Sequence, residues 1–277
     1  MDEKTEPTEP TELTAEPTVE LSDAKKTYVW KAKLALEAYR FDDMAKFMGL
    51  VVRTGLPMTK DEDNMLAVAY KRTLDAKRMS RQTLMTIIER SDDRWKVDVA
   101  RQYRDEVGKE LRAQCNEMLS VINSRLSSSK PSGVSTLDPA TNVFYWKLYG
   151  DYNRYAAEVA VDTADRDQVV DQSRTAYELA DELGRHALQP IDPIRLGLML
   201  NYSVFLYQVC NERKRGHDVA KRAFDDAVAE LDSIDHTSDD ITLILRLIRD
   251  NLGIWINENG GSSFDTTEVS AMTSPSS

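Results

Sequence analysis

One short stretch of the chain, residues 142–160, combines aromatic, apolar and charged side chains at helical spacing. Lys147, Asp151 and Arg154 stand at i, i+4 and i+7, with Tyr155 beside them, so a helix would align them along one polar stripe. The remaining positions are apolar or aromatic nearly all round, which predicts a buried helix. Buried cationic groups need an acidic partner. The stretch therefore indicates either an internal ion pair with Asp151 or a site for an acidic ligand.

The last predicted helix carries apolar residues on two faces. The first face consists of Ile241, Leu245, Ile248, Leu252 and Trp255, and the second of Leu243, Ile244, Leu247 and Ile254 with Asn251. One apolar face is enough to attach a helix to a core. The second face indicates either burial against another helix or an exposed groove.

A second amide, Asn201, also stands among apolar neighbours, Leu200 and Val204. An amide in such surroundings is costly unless it forms hydrogen bonds. A peptide backbone would be one such partner. The sequence therefore offers amide and apolar groups of the kind that bind an extended peptide.

Charge and composition exclude several classes of function. The chain has 277 residues, of which 41% are hydrophobic and 30% charged, as is typical of soluble globular proteins. A net charge of −11 argues against nucleic acid as a general partner. The longest uncharged run, 196–211, is too short and too polar to cross a membrane. Cys115 and Cys210 match no metal or redox spacing, which favours reduced thiols in a cytoplasmic protein.

An enzyme is the rival class. Asp225-Asp226 with Glu230, and Asp42-Asp43, are the acidic sets that could support metal-dependent chemistry. Neither has a second matching motif, and acidic pairs on helices are usually solvated. The three histidines, at 186, 217 and 236, have no His or Cys partner at ligand spacing, and no glycine-rich phosphate loop or nucleophile elbow occurs. We therefore expect no catalytic site, no metal and no cofactor.

The two ends of the chain differ in composition from its middle. Residues 1–22 contain a repeated Thr-Glu-Pro and almost no large apolar group before Leu13, so we expect an acidic, disordered extension. Residues 259–277 begin Asn-Gly-Gly-Ser-Ser, which predicts a flexible tail. A single folded region is expected at 23–258.

That region is predicted to be all-α. Period-two alternation is not sustained anywhere, and long stretches contain no proline. Asp138-Pro139, Asp192-Pro193 and Ser238 have the character of helix starts. Short loops between helices favour antiparallel neighbours. The nine predicted helices are 23–38, 41–54, 60–90, 93–127, 139–162, 167–186, 193–211, 215–231 and 239–257.

Several segments resemble the signature segments of the 14-3-3 family. They are Asn142–Val159, Arg195–Phe205, Ala220–Leu231 and Leu247–Trp255, and the stretches 40–45 and 68–78 are similar too. The resemblance runs from about residue 27 to 258 in the same order. It implies nine antiparallel helices that form a cup with an amphipathic groove, and an adaptor that binds clients through phosphoserine or phosphothreonine.

The resemblance also implies roles for individual residues. The phosphate-binding residues of the family match Lys71, Arg78, Arg154 and Tyr155. Lys71 and Arg78 are seven residues apart on the third helix and so share one face. Guanidinium groups offer paired donors to phosphate oxygens. Asn201 and Asn251 match the residues that bind the peptide backbone. The groove residues implied are Lys147, Leu200, Val204, Leu243, Ile244, Leu247, Ile254 and Trp255.

Some positions depart from the family pattern. Gln208 stands where the family has Glu, Gln82 where it has Arg, and Arg81 where it has Trp, which suggests an altered client preference. The implied dimer interface consists of Leu34, Arg40, Asp43, Tyr103, Glu106 and Glu110. Within it, Arg40 and Glu110 keep one intersubunit ion pair, whereas Asp43 would face Glu106 where the family has Lys. Like charges across an interface are unfavourable, and Gly108 weakens its helix. We therefore expect a homodimer with a weakened or altered interface.

The tail supplies a further hypothesis. Ser274 precedes a proline, as in proline-directed kinase sites, and Ser276 lies one residue from the terminal carboxylate. A phosphorylated tail could therefore return to the groove as the protein's own ligand, although an inert terminus is the simpler alternative. For the whole chain, the alternative to the adaptor is a helical scaffold that binds peptides without phosphate dependence.

Overall fold

The computed structural model describes residues 16–127, 137–231 and 238–258. These residues form nine α-helices and one π-helical turn, and they include no β-strand. The prediction of an all-α fold with nine helices is therefore confirmed. The chain divides into two compact units, one up to Thr86 and one from Ile87 onward, and each is described by itself.

The first unit contains α1 (Glu16–Glu37), α2 (Phe41–Arg53) and most of α3 (Lys60–Arg90). α1 starts at Glu16 rather than at 23, because Pro17 stands in the first turn, where the missing N–H is tolerated. The amine of Lys25 binds the Glu62 carboxylate at 2.8 Å and the Pro57 carbonyl at 2.7 Å, which fastens α1 to the start of α3.

The second unit contains the remaining elements. They are α4 (Arg94–Leu126), α5 (Pro139–Ala157), α6 (Thr163–Ala187), α7 (Pro193–Val204), the π-turn π1 (Phe205–Val209), α8 (Arg213–Leu231) and α9 (Asp239–Glu258). α5 and α6 run antiparallel. The hydroxyl of Ser173 donates to the Gly150 carbonyl at 2.8 Å, and Val143 lies near Gly184 at the opposite end of the pair. This pairing covers one side of α5 along its length.

The predicted helix starts are confirmed by side-chain caps. The Asp138 carboxylate accepts a hydrogen bond from the Thr141 amide at 3.2 Å, and that of Asp192 accepts from the Ile194 amide at 2.8 Å. The Ser238 hydroxyl accepts from the Ile241 amide at 3.4 Å. Each cap satisfies a backbone donor that the first helical turn leaves unpaired.

Two predicted helix boundaries are wrong, at the link between α5 and α6. α5 ends at Ala157 rather than 162, and α6 starts at Thr163 rather than 167. The cause is Asp162, whose carboxylate caps α6 by accepting from the Asp165 amide at 2.8 Å. An Asp at 162 followed three residues later by another acidic residue was the available signal for this start.

The helix predicted over 193–211 is also wrong in part, since its last turn is π1. The amide of Cys210 donates to the Phe205 carbonyl at 3.1 Å, five residues earlier. Gly216 of α8 lies against this turn so closely that a Cβ atom there would stand 2.8 Å from the Ser203 carbonyl oxygen and 2.9 Å from the Tyr207 amide nitrogen. The wider turn and the missing side chain together allow α8 to pack at this distance.

Three properties of the described ranges bear on function. None of their helices has the length and apolar character required to cross a membrane. They contain no group of three or more His, Cys, Asp or Glu placed to hold a metal ion. Both cysteines are free thiols; Cys115 is buried and Cys210 is partly buried. Disorder was predicted for 1–22, but 16–22 form the first turns of α1; residues 1–15 and the tail predicted to be flexible, 259–277, lie outside the described ranges.

An ion pair between α4 and the start of α6 gives the first prediction. Arg112 binds both carboxylate oxygens of Asp165, at 2.5 and 3.0 Å, and also the Ala156 carbonyl at 3.3 Å. We expect Asp165→Asn to lower the free energy of unfolding by about 1–2 kcal/mol at pH 7. Urea unfolding measures this loss. Asp105→Asn is the control. The Asp105 carboxylate is exposed and pairs with Arg104, so its removal should cost less than about 0.5 kcal/mol.

The stability lost in Asp165→Asn should become smaller as the pH falls. The hydrogen bonds from Arg112, and then that from the Val161 amide, hold the folded-state pKa of Asp165 below its ordinary value of 3.8. The ionised carboxylate therefore stabilises the fold above pH 3.8, and this contribution is lost as the pH falls through the folded-state pKa. A difference between wild type and Asp165→Asn that stays constant or grows in acid would contradict the assignment.

Candidate functional site

The polar stripe predicted on α5 exists, and Asp151 lies at its centre. α5 is buried nearly all round, as expected, and Asp151 is itself buried. Its Oδ2 accepts from the Lys147 amine at 2.8 Å, while its Oδ1 accepts from the Tyr177 hydroxyl at 2.5 Å and from the Asn201 amide at 2.8 Å. Three elements, α5, α6 and α7, thus converge on one carboxylate. Of the two alternatives for this stripe, the internal ion pair is therefore present, between Lys147 and Asp151.

Arg154 lies next to this centre but contacts it less directly. Its Nη2 is 4.0 Å from Asp151 Oδ1, which is beyond hydrogen-bond distance, and its Nε donates a long 3.4 Å hydrogen bond to the Tyr177 hydroxyl. The guanidinium carbon is 4.4 Å from the centre of the Tyr155 ring. The side chain is 11% exposed. Arg154 is therefore nearly buried beside a carboxylate that other donors already occupy.

The charges of this cluster reinforce one another. Burial alone would raise the pKa of Asp151, but attraction to Lys147 and Arg154, with the hydrogen bonds from Lys147 and Tyr177, holds it below its ordinary value. Burial opposes the charge of Arg154, yet Tyr177, Tyr155 and Asp151 together raise the pKa of its guanidinium. Burial, and then the Asp151 charge, raises the pKa of the Tyr177 hydroxyl well above its ordinary value. At neutral pH the cluster contains two cations, one carboxylate and a protonated tyrosine, and so has an excess positive charge.

The other two predicted phosphate-binding residues lie on α3 in the first unit. The amine of Lys71 is 3.4 Å from the Asp75 carboxylate, and the side chain is 68% exposed. Arg78 is partly buried two turns further along the helix. Seven residues apart on one α-helix, the two basic side chains share a face, as the sequence predicted.

The predicted groove residues of the second unit form an apolar surface on α7 and α9. Leu243 and Ile254 are each 53% exposed, and Leu247 lies exposed between them. Ile244, Leu200 and Val204 are partly buried and pack against the core cluster that contains Leu245, Ile248 and Leu252. Asn201 and Asn251 are partly exposed on these two helices. The second apolar face of α9 is thus at the surface of its unit, whereas the first face is buried.

Trp255 is the most deeply buried of the predicted groove residues. Its side chain is only 2% exposed, and its ring stacks on that of Tyr207 at 4.2 Å between centroids with an angle of 9°. It belongs to the buried face of α9 with Ile248 and Leu252. The indole therefore anchors the helix to the core, and its place in a groove stays a prediction.

The predicted dimer residues lie in both units, and all except the partly buried Asp43 are exposed. Leu34 on α1 and Tyr103 on α4 are large exposed hydrophobic residues, and Glu106 and Glu110 are exposed on α4. Arg40 already has a partner within its own chain, because its Nε donates to the Asp43 carboxylate. An ion pair from Arg40 to another chain would have to share the guanidinium with Asp43. Gly108 lies within α4 without ending the helix.

The positions that depart from the family pattern are accessible. Gln208 is exposed in π1, and Gln82 is exposed on α3. Arg81 is partly buried, with its Nη1 3.5 Å from the sulfur of Met85.

Tyr177 is the member of the cluster that the sequence did not reveal. It stands 26 residues after Asp151, on another helix, and no motif joins the two. The ring passes directly over Gly150, where a Cβ atom would lie 2.8 Å from two ring carbons. A glycine one residue before the buried Asp151 was the available signal, since it allows a ring from a neighbouring helix to approach the backbone.

Comparisons with known proteins show the family of this chain. A 14-3-3 protein family model matches residues 31–256. The chain is 40% identical over 251 residues to 14-3-3-like protein 2 of Caenorhabditis elegans and 40% identical over 250 residues to 14-3-3 protein zeta of Bombyx mori; each alignment covers 90% of this chain and 98% of the relative. For 14-3-3 protein theta of Homo sapiens the identity is 39% over 247 residues, which is 88% of this chain and 98% of the relative. This chain therefore belongs to the 14-3-3 family.

Proposed function

We propose that this protein is an adaptor that binds client proteins through phosphorylated serine or threonine. Membership of the 14-3-3 family supports an adaptor role based on phosphopeptide binding, and it favours an adaptor over an enzyme. The observation that carries the phosphate dependence is Arg154, a nearly buried guanidinium held 4.0 Å from a carboxylate that has other donors. A buried cation that is not fully paired attracts an anionic ligand.

The proposed phosphate-binding residues are Lys71, Arg78, Arg154 and Tyr155. In the second unit, the guanidinium of Arg154 would supply two parallel N–H donors, and the Tyr155 hydroxyl would add a third. Lys71 and Arg78 are assigned from the family resemblance and from their shared face on α3. Lys147, which is ion-paired with Asp151, would contribute positive charge beside the phosphate.

The peptide on either side of the phosphate would bind to α7 and α9. Asn201 donates one amide hydrogen to Asp151, so its carbonyl oxygen can accept from a peptide N–H. Asn251 would bind the backbone in the same way. The exposed stripe of Leu243, Leu247 and Ile254 would contact apolar side chains of the client.

The test is a titration with a phosphoserine peptide and with its unphosphorylated twin. We expect the phosphorylated form to bind at least about 30-fold more tightly, since the phosphate adds several charge-assisted hydrogen bonds. Equal binding of both peptides would favour the scaffold without phosphate dependence. Absence of binding to several unrelated phosphopeptides would contradict the proposal as a whole.

We further propose a homodimer that is weakened by Asp43 and Glu106, which would face each other between subunits. Glu106→Lys should tighten the dimer by about 1 kcal/mol, or roughly fivefold, because it replaces a like-charge contact by an ion pair. The gain stays modest because Arg40 already compensates Asp43. Sedimentation of both proteins over a range of concentrations measures the change.

Asp167→Lys is the matched control for the dimer, since it makes the same charge change at an exposed position on α6. It should leave the dimer constant unaltered. Equal constants for wild type and Glu106→Lys would count against the proposed interface. The phosphorylated tail remains a proposal from sequence, because Ser274 and Ser276 lie outside the described residues.

A further inference from the structure

We propose that the Tyr177 hydroxyl is a positioning group that keeps Arg154 available to phosphate by occupying the Asp151 oxygen that would otherwise capture it. This inference rests on the proposed phosphopeptide-binding function. It adds a residue on α6 to the part of the proposed site that α5, α7 and α9 supply.

The first step is the occupancy of Asp151 Oδ1. A carboxylate oxygen has two lone pairs, and here the Tyr177 hydroxyl and the Asn201 amide each donate to this atom, at 2.5 and 2.8 Å. Lys147 binds the other oxygen at 2.8 Å. Both acceptor positions of Oδ1 are therefore filled from other helices.

The second step is the position of Arg154. Its Nη2 approaches the same oxygen, Oδ1, but stops at 4.0 Å. Closing this gap to an ordinary hydrogen-bonded ion pair would need a movement of only about 1 Å. An arginine bound tightly to Asp151 would have fewer donors left for a ligand. The filled lone pairs of Oδ1 thus account for a guanidinium that lies close to a carboxylate without binding it directly.

The third step is the rigidity of Tyr177. Its side chain is fully buried, with its ring over Gly150 and stacked on Tyr202 at 5.5 Å between centroids. Phe205 packs against the ring at 5.3 Å. The hydroxyl is consequently fixed between Asp151 Oδ1 and Arg154 Nε, so it both donates to the carboxylate and accepts from the guanidinium.

Removal of this hydroxyl gives the test. In Tyr177→Phe, one lone pair of Oδ1 becomes empty beside Arg154, and we expect the guanidinium to move onto the carboxylate. Affinity for a phosphoserine peptide should fall about tenfold. Tyr202→Phe is the matched control. It removes a hydroxyl from the same ring stack, but this hydroxyl accepts from Arg215 and donates to Glu178 and does not contact Asp151. Its phosphopeptide affinity should stay within about twofold of wild type, as expected for an interaction outside the site.

A second variant separates positioning from a purely structural role. Asp151→Asn removes the charge that would capture Arg154, so in this background Tyr177→Phe should cost less than about threefold. A loss of the same size in both backgrounds would overturn the proposal, because the hydroxyl would then act without the carboxylate. Unchanged affinity of Tyr177→Phe in the presence of Asp151 would overturn it too.

The same titrations distinguish this inference from the proposed function. If the wild-type protein does not discriminate between phosphorylated and unphosphorylated peptides, both the proposed function and the role of Tyr177 are contradicted. If the wild type discriminates and the Tyr177→Phe variant discriminates equally well, only the role of Tyr177 is contradicted. Thermal unfolding of each variant confirms that the affinities refer to folded protein.

Discussion

Arg154→Ala should lose most of its affinity for phosphoserine peptides, by about 2–5 kcal/mol or at least roughly 30-fold. The side chain is 11% exposed and lies against the Tyr155 ring, so a phosphate bound there would be largely shielded from water. Charge-assisted hydrogen bonds are stronger under such shielding. Isothermal titration with the phosphopeptide and its unphosphorylated twin measures the loss.

The same measurement needs a variant that separates charge from geometry. Arg154→Lys keeps the positive charge but loses the planar pair of donors, and we expect an intermediate affinity. Arg185→Ala is the control, because this exposed arginine on α6 pairs with Asp181 in its own helix. A folded Arg154→Ala protein with wild-type affinity would remove Arg154 from the site and leave the phosphate dependence without its main support.

Gly216→Ala should destabilise the second unit by about 2–3 kcal/mol, since overpacking against fixed atoms is costly. The added Cβ would lie 2.8 Å from the Ser203 carbonyl oxygen and 2.9 Å from the Tyr207 amide nitrogen, and backbone atoms inside a helix cannot turn aside. The midpoint of urea unfolding should therefore move to lower urea. The clash should also displace π1, so the binding of phosphopeptides, whose flanking residues would contact α7 and α9, should weaken.

Gly253→Ala, in the same unit, should raise the free energy of unfolding rather than lower it. Gly253 lies in α9, and a Cβ there would meet no described atom within 4 Å. Alanine should then stabilise the helix by about 0.5–1 kcal/mol through its better helix propensity. The two glycine variants should consequently move the unfolding midpoint in opposite directions. Equal midpoints for Gly216→Ala and wild type would contradict the close packing of α8 on π1.

Local sequence signals predicted much of this fold. Asp138, Asp192 and Ser238 were recognised as caps because a capping side chain acts on backbone groups two or three residues away. The burial of α5 followed from apolar residues on all its sides. Each of these signals lies within one short segment, so it can be recognised without knowledge of the tertiary structure.

What the sequence left open depends on contacts between distant segments. Trp255 was assigned to the groove through the family resemblance, although its spacing places it on the first apolar face of α9, and only its stack on Tyr207, 48 residues earlier, shows how deeply the ring is buried. Tyr177 escaped notice because its role depends on a contact with Asp151 across two helices. Propensity and spacing describe how one segment folds, but they do not identify the partner that a buried side chain will meet.

The π-turn has a consequence for how this chain tolerates insertions and deletions. A π-turn holds one residue more than the α-helical turn it replaces, so removing one residue between Phe205 and Val209 would let the helix finish in regular α geometry with the chain beyond it in nearly its present orientation. The wide turn against which Gly216 packs would then be lost, and α8 would have to move away from the backbone of Ser203 and Tyr207. A gene that loses a single codon here would therefore encode a more regular helix but a poorer contact between that helix and α8.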